Sequence, residues 1–401
     1  MKKSINISKV LLACLLIFSC GKVEINRPLK LDCALEKNPE YKVNPKSQQF
    51  QALMDSYVKK GLPGIILLVK DKNGFFIGSS GKADIKNDID AQPCHISKVA
   101  SITKLMLATS IFKLQEKGIL SVTDPISKYL SADILDKIEN CEKPLTVLNL
   151  LNHTSGIFEV IKSQNFYMEV LNNPSKHWSS EDLLKFVYGQ PKMFDFNPTD
   201  TANYCNTNYL LLSMITEKAT GKSVSQVLHS ELFTPLAMND TYYFYHDALP
   251  EDRIMQGYFD LYNNGTLLNL TNWNTGSGNG YGGVYSTVWD MYIFLDALYD
   301  KKTIISQASL NQMLTFHHSI ESRKQVGAGC QKDFIDIGNI GKDFAYGHRG
   351  RDLSYSADLF YFPEHKTIMS MIVNYGTDGD SQLRPIFKEM RDEIAKVIIK
   401  Q

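Results

Sequence analysis

The chain carries no excess charge of either sign, since lysine plus arginine and aspartate plus glutamate each number 43. No basic block stands out either, which removes the electrostatic footprint that a nucleic-acid partner would need. The apolar run Val10 to Phe18 is too short to cross a bilayer as an ordinary helix. No internal repeat is present, and the seven cysteines are scattered without the paired short spacings of a zinc site. What remains is a chain of 401 residues, 43% hydrophobic and 11% aromatic. That suffices for a large core, in one big domain or two intimately joined lobes, and excludes a disordered or fibrous protein.

The first residues read as a targeting signal at 1–19: a cationic start at Lys2, Lys3 and Lys9, then the short apolar run. It ends Ile17-Phe18-Ser19-Cys20-Gly21, which resembles a bacterial lipobox, although Phe18 is bulkier than the usual small residue there. Cys20 is therefore expected to carry lipid and become the mature N-terminus, anchoring an exported protein to a bacterial membrane on the periplasmic or outer side. Without Lys2, Lys3 and Lys9 the remainder holds 40 basic against 43 acidic residues. Residues 20–47, with Pro28, Pro39 and Pro45, read as a tether. With Cys14 in the leader and Cys20 lipidated, Cys33, Cys94, Cys141, Cys205 and Cys330 remain, and their spacing favours no particular disulfide.

The folded part is expected at 48–397. A helix over Gln48 to Lys60 places Phe50, Leu53, Met54 and Tyr57 on one face. The apolar run 64–69, an Asp71-Lys72-Asn73-Gly74 turn and Phe75 to Gly78 then read as a hairpin. A second hairpin, Ala357 to Phe362 and Thr367 to Val373, precedes a closing helix over Pro385 to Ile399. The predicted fold is α/β of the α+β kind: an antiparallel sheet flanked by the terminal helices, built from 48–99 and 282–397, with a helical lobe inserted at 100–281.

Four stretches bear on chemistry. Ser101-Ile102-Thr103-Lys104 opens an apolar helical run whose Gly118 is a plausible C-cap. Residues i and i+3 of a helix share a face, roughly 5–6 Å apart, so the Lys104 amine can reach the Ser101 hydroxyl. A serine is a poor nucleophile until a base takes its proton, and lysine serves only if burial or nearby positive charge keeps it neutral. In Leu150-Leu151-Asn152-His153-Thr154-Ser155-Gly156, the histidine and the serine are two apart and do not face one another, which indicates a structural turn. Tyr204-Cys205-Asn206, in an extended segment before a helix predicted at Tyr209 to Lys218, points a phenol and an amide the same way. Tyr346-Gly347-His348-Arg349-Gly350 sets a histidine between glycines at the start of an edge strand, where a ligand can approach the backbone.

Taken in order, together with Pro235-Leu236-Ala237-Met238 and Gly282-Gly283-Val284-Tyr285-Ser286-Thr287, these stretches resemble the serine β-lactamase-related hydrolases. That family includes class C β-lactamases, D-alanyl-D-alanine carboxypeptidases and related esterases, and the resemblance covers about residues 48–397. It implies the β-lactamase/transpeptidase-like fold, with Ser101 as acylated nucleophile and Lys104 as its activating neighbour. Tyr204 would be general base for attack and acid for the leaving group, and Asn206 would orient the substrate amide. His348 would stand where class C enzymes have lysine; with Gly350 and Arg351 it would form the substrate-binding edge. The backbone N–H groups of Ser101 and Arg351 would form the oxyanion hole, and neither metal nor organic cofactor is implied.

The stretch His348-Arg349-Gly350-Arg351-Asp352-Leu353-Ser354 is bulkier and more charged than is usual in such relatives. Arg349 or Arg351 would grip a substrate carboxylate through a bidentate pair, or else stand as solvated strand-edge charges. His348, if unperturbed, would change charge between about pH 5 and 8 and meet a carboxylate only as a cation. Cys205 is expected to point away from the cleft and pack. The expected activity is hydrolysis of an ester or amide through an acyl-enzyme, foremost a D-amino-acid-containing peptide, with a class C-like β-lactamase as alternative. A wall-peptide or β-lactam binding protein without turnover is the alternative from another class. The partner is a peptide or small-molecule substrate, and the sequence does not give the oligomeric state.

Overall fold

A computed structural model describes residues 42–196, 201–320, 325–339 and 342–400. The leader, Cys20, Cys33 and the tether as far as residue 41 lie outside the described residues.

The chain enters through helix α1 (Ser47–Lys59) and the hairpin β1 (Gly64–Asp71) and β2 (Gly74–Asp84), followed by the short strands β3 (Ile89–Asp90) and β4 (Ser97–Lys98). Helices α2 (Ile102–Glu116), α3 (Ala132–Leu135), α4 (Val147–Leu151), α5 (Gln164–Asn172) and α6 (Ser180–Leu184) come next. After them lie β5 (Thr201–Ala202), α7 (Asn206–Thr220) and α8 (Val224–Leu228). Short strands β6 (Tyr242–Tyr243), β7 (Tyr258–Phe259), β8 (Leu268–Asn269) and β9 (Val284–Ser286) lead to α9 (Val288–Leu295) and α10 (Gln307–Met313). The chain closes with β10 (His317–Ser319), β11 (Gln325–Val326), β12 (Gln331–Asp333), β13 (Ala345–Arg351), β14 (Ser356–Phe362), β15 (Thr367–Val373) and α11 (Leu383–Ile399).

Ten strands form one sheet in the order β3-β2-β1-β15-β14-β13-β12-β11-β10-β5, antiparallel except where β10 meets β5. The inserted segment thus contributes an edge strand to the sheet. The two termini meet at the centre: Ile65 pairs with Val373 and Lys70 with Ile368. The unbroken apolar run of β1 follows from burial on both sides of the sheet. Ile65, Leu67 and Val69 join Phe50 and Met54 of α1 and Phe387, Met390 and Ile394 of α11 in one core, whereas Ile66 and Leu68 join the core around α2.

Helix α2 is buried nearly all round, including Thr103, Lys104, Thr109 and Ser110. Its polar members need partners, and Thr109 and Ser110 donate to the carbonyls one turn back, at 2.8 and 3.1 Å. Gly118, at φ 69°, follows the helix end in the left-handed conformation that closes helices. Cys94 is disulfide-bonded, while Cys141, Cys205 and Cys330 are free and buried. No helix among the described residues is long and apolar enough to cross a membrane.

Candidate active site

Ser101 sits at the N-cap of α2 behind a tight turn, in which Ala100 takes φ 47°, a conformation that costs a residue with a Cβ. The turn is held by Ile102 N–H to the Val99 carbonyl and by Thr103, whose N–H and hydroxyl both donate to the Ala100 carbonyl. The Ser101 N–H has no backbone acceptor among the described residues. Ser101 lines a cleft of about 440 Å³, together with Tyr204, Asn206, Tyr281, Arg349 and Arg351.

One turn along α2, Lys104 is fully buried, and its Nζ lies 2.9 Å from Ser101 Oγ and 2.6 Å from the Tyr281 carbonyl oxygen. The rings of Tyr204, Tyr209 and Tyr281 surround it, with centroids 5.0, 5.7 and 5.6 Å away. Burial pushes its pKa down to about 7, against the attraction of Glu159. A neutral lysine is therefore well populated near neutral pH. Tyr204 is hydrogen-bonded to Ser101, and burial holds its phenol protonated, well above the usual tyrosine range. Lys104, rather than Tyr204, thus offers the free base at neutral pH.

Tyr204 and Asn206 are placed by supports that their own stretch does not reveal. Helix α7 begins at Asn206, three residues before the predicted Tyr209, because the buried Glu159 carboxylate accepts the Asn206 N–H at 2.6 Å. His153 takes φ 63° in its turn, accepts the Cys205 N–H on Nδ1 at 3.1 Å, and lays its ring 4.7 Å from that of Tyr204. The residue read as part of a structural turn is therefore the platform under the phenol. Cys205 turns inward, with Sγ 3.5 and 3.6 Å from the carbonyls of Phe158 and Ile157.

The end of β13 also reaches this site, with the His348 ring 5.9 Å from that of Tyr204. This strand is internal to the sheet rather than an edge, yet its pairing with β12 stops at Gly347, so among the described strands 348–351 pair with β14 alone. A Cβ at Gly350 would come 2.0 Å from the Val99 carbonyl oxygen. Only glycine lets the strand lie this close to the turn before Ser101. Arg351, the next residue, lines the same cleft as Ser101.

Two expectations need correcting. His348 is buried, its Nδ1 donates to the Arg349 carbonyl at 2.7 Å, and it is not among the residues lining the cleft. Burial, then the charges of Lys104 and Arg351, hold its pKa well below the ordinary imidazole value. In this setting the cationic form of the imidazole is disfavoured. Arg351 neither points at a substrate carboxylate nor hangs in solvent. Its guanidinium bonds Asp358 at 3.0 and 3.2 Å and the Gly350 and Ala357 carbonyls at 2.6 Å, and it lies 4.7 Å from the Phe387 ring centre. Arg391 of α11 joins the same cluster, 2.9 Å from Asp358 and 2.5 Å from Asp333, and Arg349 stands 3.5 Å from Asp333. The Arg351 guanidinium is thus committed to Asp358 and two backbone carbonyls.

The Beta-lactamase family model matches residues 48–388 of the chain. Among curated proteins, the chain is similar to "Penicillin-binding protein 4*" of Bacillus subtilis, with 26% identity over 275 residues, 66% of this chain and 58% of that protein. It is also similar to "D-alanyl-D-alanine-carboxypeptidase/endopeptidase AmpH" of Escherichia coli, with 28% identity over 231 residues, 58% of this chain and 56% of that protein. The match thus spans little more than half the length of these relatives. A D-amino acid amidase from Ochrobactrum anthropi SV3, solved with L-phenylalanine, has the same fold: TM-score 0.76 over 88% of this chain and 98% of the amidase, at 24% identity.

Proposed function

Because the chain belongs to the Beta-lactamase family, we propose that it is an exported, lipid-anchored serine hydrolase that cleaves an ester or amide through an acyl-enzyme on Ser101. The observation that carries this reading is the buried Lys104 amine 2.9 Å from Ser101 Oγ, with a pKa of about 7, at the wall of an open cleft.

Neutral Lys104 takes the Ser101 proton as Oγ attacks the carbonyl carbon. The developing oxyanion is met by the N–H groups of Ser101 and Arg351, a contribution worth roughly 3–4 kcal/mol of barrier for one such donor. The C–X bond then breaks, and the Tyr204 hydroxyl delivers a proton to the leaving oxygen or nitrogen while Lys104 returns one to Tyr204. Water attacks the ester so formed, activated through the same pair, and releases the acid. Asn206, at the mouth of the cleft and pinned by Glu159, orients the amide of the bound acyl group.

A D-amino-acid-containing peptide is the substrate class we favour. The unpaired edge of β13 at 348–351 suits an extended backbone laid antiparallel along it. The relatives named for carboxypeptidase and amidase activity support the same choice. Intact-mass measurement after incubation with a D-alanyl peptide, a short-chain aryl ester and a penicillin, in wild type and Ser101→Ala, tests the reading. Adducts on wild type that vanish in Ser101→Ala, with turnover of peptide or ester exceeding that of penicillin, are expected. Fast penicillin turnover would place the protein with the β-lactamases, a penicillin adduct that never turns over would make it a binding protein, and no adduct at all would overturn the reading.

A further inference from the structure

At the wall of the cleft, where Asp352 and Thr275 are among the lining residues, lies an ion pair that the mechanism above does not use. Lys98, in β4, is fully buried; its Nζ is 3.2 Å from Asp352 Oδ2, whose side chain is only 5% exposed, and 3.2 Å from the Trp273 carbonyl oxygen. The ammonium stands between the rings of Phe244, Tyr285 and Tyr355, at 5.7, 5.9 and 5.6 Å. Asp352 is saturated in turn. Its Oδ1 accepts the Thr275 hydroxyl at 2.9 Å and its neighbour Leu353 N–H at 2.7 Å, and its own N–H donates to the Tyr355 carbonyl.

Three chain segments meet at this pair, and each carries part of the chemistry. Lys98 lies three residues before Ser101, with its strand paired to β9 at Tyr285. Asp352 follows Arg351 directly. Trp273 and Thr275 belong to the loop that ends at Tyr281, whose carbonyl holds Lys104. At Gly350 and Val99, β13 comes into close approach with the turn before Ser101. The ion pair adds a second tie between the same two segments.

The geometry points to Lys98 and Asp352 as positioning residues that fix the Arg351 N–H relative to the Ser101 N–H, and so set the width of the oxyanion hole. Neither side chain touches the reacting atoms. A buried pair of this kind contributes little net stability against an apolar replacement, but removing one partner leaves a buried charge uncompensated, so the pair holds its two segments together. The inference rests on the acyl-enzyme reading above.

The test compares acylation by an aryl ester and by its thionoester, in which the carbonyl oxygen is replaced by sulfur. Sulfur is larger and a weaker hydrogen-bond acceptor, so the thionoester gains little from a well-formed hole. The variants are Asp352→Asn, which keeps the shape, Lys98→Met/Asp352→Asn, which removes both charges and leaves none unpaired, and Lys98→Arg as the conservative control. Far-UV circular dichroism and Tm verify folding. In the first two variants the ester acylation rate should fall roughly 10- to 100-fold with KM little changed, set against the loss of about 100-fold or more when a whole donor is removed. The thionoester rate should change less than threefold, and Lys98→Arg should retain most of the ester rate. An equal loss on both substrates, a loss in KM alone, or no loss in a folded variant overturns the inference and leaves the acyl-enzyme reading standing. Absence of any acyl adduct on the wild type overturns both.

Discussion

Lys104 Nζ and Ser101 Oγ are 2.9 Å apart in a place where the lysine has no contact with water. A charged amine would have to be desolvated there, and the protein meets that cost by letting the proton go near neutral pH.

The pH profile follows. In kcat/KM the free enzyme needs Lys104 neutral, so the rate should rise tenfold per pH unit below about 7 and level off above it. His348, held neutral by burial, should add no falling limb between about pH 5 and 8, even with a substrate that bears a carboxylate. A stopped-flow profile with such a substrate checks both, and a descending limb in that window would restore a charged histidine to the site.

Lys104→Met should cost roughly 10²–10⁴-fold in acylation, the usual range for a lost general base. It should also stabilise the fold. The unfolded chain keeps the lysine proton up to about pH 10.5, whereas the folded chain gives it up above about 7. The unfolded state therefore binds more protons between those values, and wild-type stability rises with pH across that window. The handicap is full below about pH 7, on the order of 5 kcal/mol before lost hydrogen bonds are counted. A Tm gain at pH 6 that shrinks by pH 9 is the expected result, measured by calorimetry.

Much of this was legible in the sequence, and the failures have physical reasons. Ser101 and Lys104 are three apart on one helix, and local spacing suffices to bring them together. The bounds of β14 and β15 came through to within one residue because both strands are buried along their whole length, whereas β1 runs two residues past the apolar run, through the half-buried Lys70 and Asp71 that continue the pairing with β2. The Tyr281 contact left no trace, because it is made by a peptide carbonyl that any residue type would supply. The start of α7 was misplaced because Asn206-Thr207-Asn208 is poor helix-forming sequence, and the carboxylate that starts the helix lies 47 residues earlier, at Glu159. The burial of His348 and the pairing of Arg351 with Asp358 likewise depend on how distant strands and α11 close over β13, which no single stretch encodes.

Gly350→Ala should be worse than its size suggests. The added carbon would meet the Val99 carbonyl oxygen at 2.0 Å, and two backbones have no rotamer with which to yield. A loss of roughly 1–3 kcal/mol in stability is expected from such overpacking. The acylation rate should drop by two orders of magnitude or more as Arg351 N–H moves away from Ser101. Urea unfolding and burst kinetics read the two effects separately.

Cys20→Ala should release the protein from the membrane fraction. Wild type should partition into detergent and carry a lipid mass on its mature N-terminal peptide, while the variant should be recovered soluble outside the cytoplasm. Equal solubility of the two forms would leave simple secretion.

The pairing of Ile65 with Val373 has a consequence for synthesis. These partners are more than 300 positions apart, so the central ladder of the sheet cannot form until nearly the whole polypeptide exists, a topology of high contact order. A ribosome that has made residues 1–340 has already delivered Ser101, Lys104 and Tyr204, but not the strand that brings Arg351 to them. The nascent enzyme should therefore be inert toward an acylating probe until its last sixty residues emerge, and chains stalled before Ala345 should stay unlabelled. Until then β1 would present an open apolar edge, a surface prone to pairing with other chains.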